Sequence, residues 1–379
     1  MDVYTGHWSR AGGWSTPLPE WDGPGSLVMV FGGADLLDDD ADLAAVADAF
    51  PGSVLIGCST SGEIHDGGVY DGSLTVAVTR FEHTQLALEV EPVSASTSAE
   101  AGAKIGKRLL ERADDLAAVF VLSEGMDVNG SALAAGLAAG TGGTVVVTGG
   151  LAGDGSRFER TWVLVDGHAQ AAHVTAIGFY GTALEVGYGS EGGWTVLGPE
   201  RVITRAVGNV LLELDGRPAL ELYKSYLGDR AVDLPASALL FPLAVHAGGD
   251  GDRELVRTIL GVDETRQSMT FAGDIPQGST AQLMRGTAER LVEAAQTAAA
   301  SARLPGDEPS LAIAVSCIGR RLYLGQRVED ELEAVTNGLG PNCGLVGFYS
   351  YGELSPVSAG TCDLHNQTMT ITVLRERSA

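Results

Sequence analysis

The sequence predicts a mixed α/β protein, of class α/β or α+β, in which repeated strand-helix-strand-loop-strand units form mixed sheets in two related halves. Three observations predict it. Short β-branched apolar runs alternate with helical patterns along all 379 residues. Direct strand-loop-strand steps imply hairpins, and so antiparallel neighbours, inside each unit. One eight-residue pattern also occurs twice in the same context, as an ancient duplication would leave it.

Taken in order, residues 1–25 form a Trp/Pro/Gly-rich arm without the charged-then-apolar plan of a signal peptide. Leu27–Phe31 reads as a buried strand, and Leu43, Val46, Ala47 and Phe50 share one face of a helix over 41–50. Val54–Gly57 is a second strand, followed by the polar loop CSTSGEI and an alternating strand at Leu74–Val78. The middle of the chain repeats that order with AVFVLSEG, the helix SALAAGLAA, VVVTGGLAGDG and WVLVDGHAQAAHVTAIGFYG. Residues 128–153 carry no charge over a membrane-spanning length, but eight glycines and three threonines punctuate them, so a helix, a turn and a strand are expected.

A compact helix is expected over 215–228. Pro218 sits in its first turn, Leu220, Tyr223 and Leu227 share a face, and Gly228 stands at the C-terminal cap. The boundary between domains is placed there, giving 26–215 and 216–379. An Ala-rich helix is expected from about 280 to 303. The C-terminal part then repeats the unit with LAIAVSCIGR, a helix carrying Val328, Leu332 and Val335 on one face, GLVGFYSYGEL and TMTITVL.

Composition narrows the partners. The chain has a formal net charge of −25 and only three lysines, Lys104, Lys107 and Lys224. Neutralising phosphates needs clustered basic residues, so neither nucleic acid nor an anionic membrane is expected as a partner. Four scattered cysteines make neither a disulfide framework nor a zinc site, and no metal is expected. A cytoplasmic protein is the resulting expectation. The 52 glycines, about twice ordinary usage, concentrate at the ends of strands.

Those glycine-rich loops are the candidate site. Gly57–Ile64 and Gly347–Leu354 both read G-x-x-[ST]-x-G-E-[IL], and Gly149–Gly155 occupies the same place in the middle unit. Ser59 and Thr60 hydroxyls, the Cys58 sulfur, Gly150 and the acids Glu63, Asp154 and Glu353 would surround a ligand, or would simply close turns onto local backbone. Tyr349 and Ser350 lie in the third loop. Cys317 ends a strand before Arg320, a guanidinium that either clamps a carboxylate or pairs with Glu353 or a helix acid. His365 and Asn366 precede the last strand and either join the cleft or turn the chain. Catalytic templates fit badly: Ser61 blocks a nucleophile elbow, and GGLAGDG lacks the lysine of a phosphate loop. No catalytic residue is assigned, although a Cys58 thiolate enzyme remains a third reading.

The stretches GCSTSGEI, GGLAGDG, SCIGRR, GFYSYGELSP and HNQTMTITV, in this order from Cys58 to Val373, resemble those of the FIST family, with its N-terminal and C-terminal domains. Gly155 departs from a commonly acidic position and Leu354 from an isoleucine. The resemblance implies a stand-alone sensory protein of signal transduction that binds a small metabolite such as an amino acid. Its output would pass to a separate protein such as a histidine kinase. The resemblance also implies, as an alternative, a haem-binding sensor of nitric oxide, for which seven histidines and four cysteines supply candidate axial ligands.

Overall fold

The computed structural model describes residues 1–247, 253–358 and 361–377. Its helices are α1 (Ala41–Ala49), α2 (Ser98–Arg112), α3 (Gly130–Gly140), α4 (Ala219–Leu227), α5 (Ala288–Ala302), α6 (Ile318–Leu324) and α7 (Val328–Leu339), set among three mixed sheets and one antiparallel sheet. The fold class is the one the patterning predicts. The charge-free stretch becomes α3 and the strand Val146–Leu151, and no helix among the described residues is long and apolar enough to cross a membrane.

Three of the sheets follow one plan. Each is centred on a parallel pair of strands joined through a helix, with a third strand antiparallel to the first of the pair. In the first unit these are Ser26–Gly33, Val54–Thr60 and Leu74–Arg80. In the second they are Leu116–Ser123, Val146–Leu151 and His173–Tyr180. In the third they are Ser310–Cys317, Cys343–Ser350 and Met369–Glu376.

The units then exchange their remaining strands in a ring. The first unit's hairpin starts at Glu63–His65 and lies beside Cys343–Ser350 of the third. The second unit's hairpin starts at Val163–Val165 and reaches Val54–Thr60 of the first. The third unit's hairpin starts at Gly352–Ser358 and pairs with Val146–Leu151 of the second. The opposite edges are exchanged as well: Gln85–Pro92 joins the second sheet, Leu184–Glu191 the third, and Asp2–Ser9 the first.

This arrangement explains why the central strands are apolar on both faces. Their inner faces, carrying Met29 and Phe31, Phe120 and Leu122, and Ile313 and Val315, meet in one buried core. Their outer faces are covered by α1 in the first sheet, α2 and α3 in the second, and α5 and α7 in the third.

The fourth sheet lies in sequence between the second and third units. It includes Thr195–Val207, Val210–Leu214 and Ser268–Phe271, and packs on α4 over its own core around Leu211, Tyr223 and Phe271. Here the expected Ala-rich helix is corrected. Thr280–Arg285 is a strand of this sheet, and α5 begins only at Ala288, where the Thr287 hydroxyl accepts the Arg290 N–H as an N-cap. Gly228 ends α4 with φ +58°, as its position at a helix C-terminus requires.

Candidate functional site

The duplicated octets end as two copies of one carboxyl cradle. Glu63 accepts a short hydrogen bond from the Thr60 hydroxyl, three residues before it. Its other oxygen accepts the Ser73 N–H at 3.0 Å and the Ser73 hydroxyl at 2.7 Å. Glu353 repeats this with the Ser350 hydroxyl at 2.6 Å, and with the Thr368 N–H and hydroxyl at 3.1 and 2.9 Å. In each, the hydroxyl residue immediately before the unit's last strand closes the cradle. Burial raises each carboxyl to about 7, against the opposing pull of these hydrogen bonds.

Glu63 borders a cleft of about 420 Å³ at the corner where the first strand of unit one, its octet and the second unit's loop converge. Thr60, Glu63 and Asp154 are brought together in its wall, joined by Asp35, Asp71 and Arg157. Asp154 organises the loop: its carboxylate accepts the N–H groups of Phe158, Glu159 and Arg160 at 2.9–3.0 Å and a short bond from the Tyr351 hydroxyl. Arg157 projects from that loop to Asp35 at 3.1 Å, an exposed pair of small intrinsic worth. Asp71 is held by a bidentate contact from Arg321 at 2.7–2.8 Å.

The other sequence-predicted residues lie elsewhere. His365 and Asn366 line a separate cleft of about 270 Å³ beside Glu191, Glu254 and Thr368. Cys58 is wholly buried in the central core, and burial pushes its thiol well above the ordinary range, a setting in which cysteine is inert. Ser59 is buried and accepts the Trp162 N–H at 3.0 Å. A Cβ on Gly150 would lie 2.6 Å from Val315, so that glycine serves close packing. Cys317, Ser350 and Glu353 are buried, and the buried Tyr349 hydroxyl donates to Glu331 at 2.9 Å.

Arg320 is fully buried. It pairs with Glu331 of α7 at 2.6 Å, and its remaining hydrogen bonds run to the carbonyls of Gly192, Leu291 and Gln367. Of the two expectations for this residue, this geometry is the ion pair with a helix acid. Sequence reasoning missed Asp35, Asp71 and Arg157 as cleft residues. A usable signal existed only for Arg157, the second residue after the GLAGDG loop.

A haem would need an apolar slot faced by an axial histidine or cysteine. Cys58, Cys317 and Cys362 are buried and Cys343 is half-buried. Of the clefts described above, the one holding a histidine is polar, and its His365 ring contacts the Ser355 carbonyl at 3.1 Å. These residues do not fit a haem pocket.

Similarity to known proteins agrees with the motifs. The FIST N domain matches residues 26–217 and the FIST C domain residues 219–356. Uncharacterized proteins from two strains of Mycobacterium tuberculosis are each 29% identical over 181 residues. Those matches cover 45% of this chain and 46% of each relative, so the chain spans about half the length of the curated relatives it matches. Two solved cyanuric acid hydrolase structures, one of them from A. caulinodans, align over 93% of this chain and 90% of theirs. They do so at TM-scores of 0.36 and 0.31 with 9% and 14% identity, and neither likeness bears on what this chain binds. With both domain matches in sequence order across most of its length, the chain belongs to the FIST family, whose domains are sensory domains of signal transduction proteins.

Proposed function

We propose that this protein is a stand-alone, cytoplasmic sensor that binds a small metabolite bearing an ammonium group, such as an amino acid, in the Glu63–Asp154 cleft. Its ligand state would be read by a separate signalling protein such as a histidine kinase. The observation that carries the reading is the buried Glu63 carboxyl on a cleft of about 420 Å³, within the usual range for small-ligand sites, with an arginine on the opposing loop. Glu63 has no cation among its hydrogen-bond partners, and a ligand ammonium would supply one. Arg157, whose Nε donates to the Asp154 carbonyl at 3.1 Å and whose outer nitrogen makes only an exposed pair with Asp35, can turn that outer nitrogen to a ligand carboxylate.

Isothermal titration at pH 8 against the standard amino acids, their decarboxylated amines and their deaminated acids tests this. At least one amino acid should bind. Glu63→Gln should weaken it about ten-fold or more, by the 1.4 kcal/mol per decade that one charge-assisted contact supplies. Arg157→Ala should weaken amino acids but not amines. Absence of heat with every compound, or unchanged binding in both variants, refutes the assignment.

The raised carboxyl adds a pH dependence. Glu63 must be ionised to pair with an ammonium, so affinity should climb as pH rises through about 7 and level off above it. At pH 6 it should be about ten-fold weaker, because only about a tenth of the carboxyls are then ionised. Glu63→Gln should flatten the curve. For stability the sign is reversed. A carboxyl raised on folding contributes most below its unfolded pKa, and that contribution is lost as pH rises from the usual carboxylate range through about 7. Urea midpoints should therefore fall over that interval, and less steeply in Glu63→Gln.

A further inference from the structure

The ring of units gives the Glu63 corner two structural equivalents. The last pairs of the three parallel registers, Gly33 with Thr60, Ser123 with Leu151 and Cys317 with Ser350, mark the three corresponding corners. The third corner is closed: α6 follows Cys317 directly, Gly319 lies against the Gln367 side chain, and the Arg321 guanidinium runs over the Tyr349 ring. The second corner is open, as a cleft of about 370 Å³ between Gly125–Met126, Leu151, Tyr351 and the fourth sheet.

The chemistry of this second cleft is the reverse of the first. Its wall holds no charged residue, in a chain of net charge −25. Phe158 and Tyr351 stack with centroids 4.7 Å apart and planes 16° from parallel, and Leu260 and Phe271 face them from the fourth sheet. The Asn209 amide donates to the Phe271 carbonyl at 2.8 Å, while its own oxygen has no hydrogen-bond partner among the described residues.

Phe158 also has φ +54°, a left-handed conformation that is costly for a bulky side chain. It is held there by Asp154, which binds its N–H, and by the stack on Tyr351. Strain of this kind persists where the surroundings impose it, and it gathers at ligand sites.

We infer that this cleft is a second ligand site, distinct from the Glu63 cleft, for an uncharged small molecule with a flat apolar ring. The ring lies against the Phe158–Tyr351 stack, and a donor group on the ligand reaches the Asn209 oxygen. The occupant would bridge the ring of units and the fourth sheet, whose Asn209, Leu260 and Phe271 form the far wall. Because Asp154 and Arg157 line the first cleft while Phe158 lines the second, one loop forms a wall of both.

Indole is a suitable probe, being flat and uncharged with a single N–H donor. Titration followed by saturation-transfer NMR should show saturable binding, at least ten-fold tighter than for the charged indole-3-acetate. Phe158→Gly removes the ring at a position whose backbone glycine adopts freely, and Gly261→Phe adds one to the cleft wall where a Cβ meets nothing within 4 Å. Each should weaken indole at least ten-fold, with unchanged circular dichroism. Glu63→Gln should leave it unchanged. No binding up to the solubility limit of indole, equal binding of indole-3-acetate, or undiminished binding in Gly261→Phe overturns the proposal, whether or not Phe158→Gly folds.

Discussion

Arg320→Met should destabilise the protein by about 3–5 kcal/mol, the usual cost of leaving one partner of a buried ion pair uncompensated. The Glu331 carboxylate would lose the Arg320 cation while staying buried, keeping among the described residues the Tyr349 hydroxyl at 2.9 Å and the Ser316 hydroxyl at 3.3 Å. The carbonyls of Gly192, Leu291 and Gln367 would lose the same donor, so the damage reaches the approach to the fourth sheet, α5 and the turn before the last strand together. Chemical denaturation should show a sharply lowered midpoint. Because the penalty comes from the stranded charge, the double variant Arg320→Met with Glu331→Leu should recover much of the loss. A double variant no better than the single one would show that shape, and not charge, makes the site indispensable.

The second large effect belongs to three equivalent glycines. Gly57, Gly149 and Gly347 each lie beneath a carbonyl of the neighbouring parallel strand, where an added Cβ would stand 2.3 Å from Val30 O, 1.9 Å from Val121 O and 1.9 Å from Ala314 O. Neither backbone can yield without disturbing the register on both sides. Gly347→Ala should therefore cost about 3 kcal/mol, the upper end for overpacking a core. Gly57→Ala, with the longer approach, should cost less. Thermal unfolding of the alanine variants tests the ranking. Equal and small shifts in all three would mean that the sheets open more easily than their packing implies.

The recurrence of these glycines made the repeated units legible in the sequence, since G-x-x-[ST]-x-G-E places both the packing glycine and the carboxyl cradle. The two glutamates were identifiable for the same reason, because a hydroxyl three residues earlier is a local relation. The partners Ser73 and Thr368 were not, as they lie 10 and 15 residues onward across a hairpin. Nor does local pattern separate Arg320 from Arg321. They are neighbours on α6, yet one is buried against Glu331 and the other reaches Asp71. Whether each carries a ligand or a structural pair depends on the face of a seven-residue helix, and that is decided by tertiary packing. The strand at Thr280–Arg285 was read as helix because it runs on to an Ala-rich helix, while Ala281 and Leu283, buried on alternate positions, carry the period of two. The Gly286–Thr287 step marks the change.

Hairpin exchange was not legible at all, because no property of residues 63–70 says which sheet edge will receive them. It has a consequence for how the chain reaches its native state. Each of the three sheets lacks an edge until another unit supplies it, and the Glu376 carboxylate, near the end of the described chain, accepts the N–H groups of Glu82, His83 and Thr84 some 290 residues earlier. A nascent chain leaving the ribosome therefore exposes unpaired strand edges until the last unit emerges. Folding should be slow and of high contact order, dependent on holding those edges apart from other chains in the meantime.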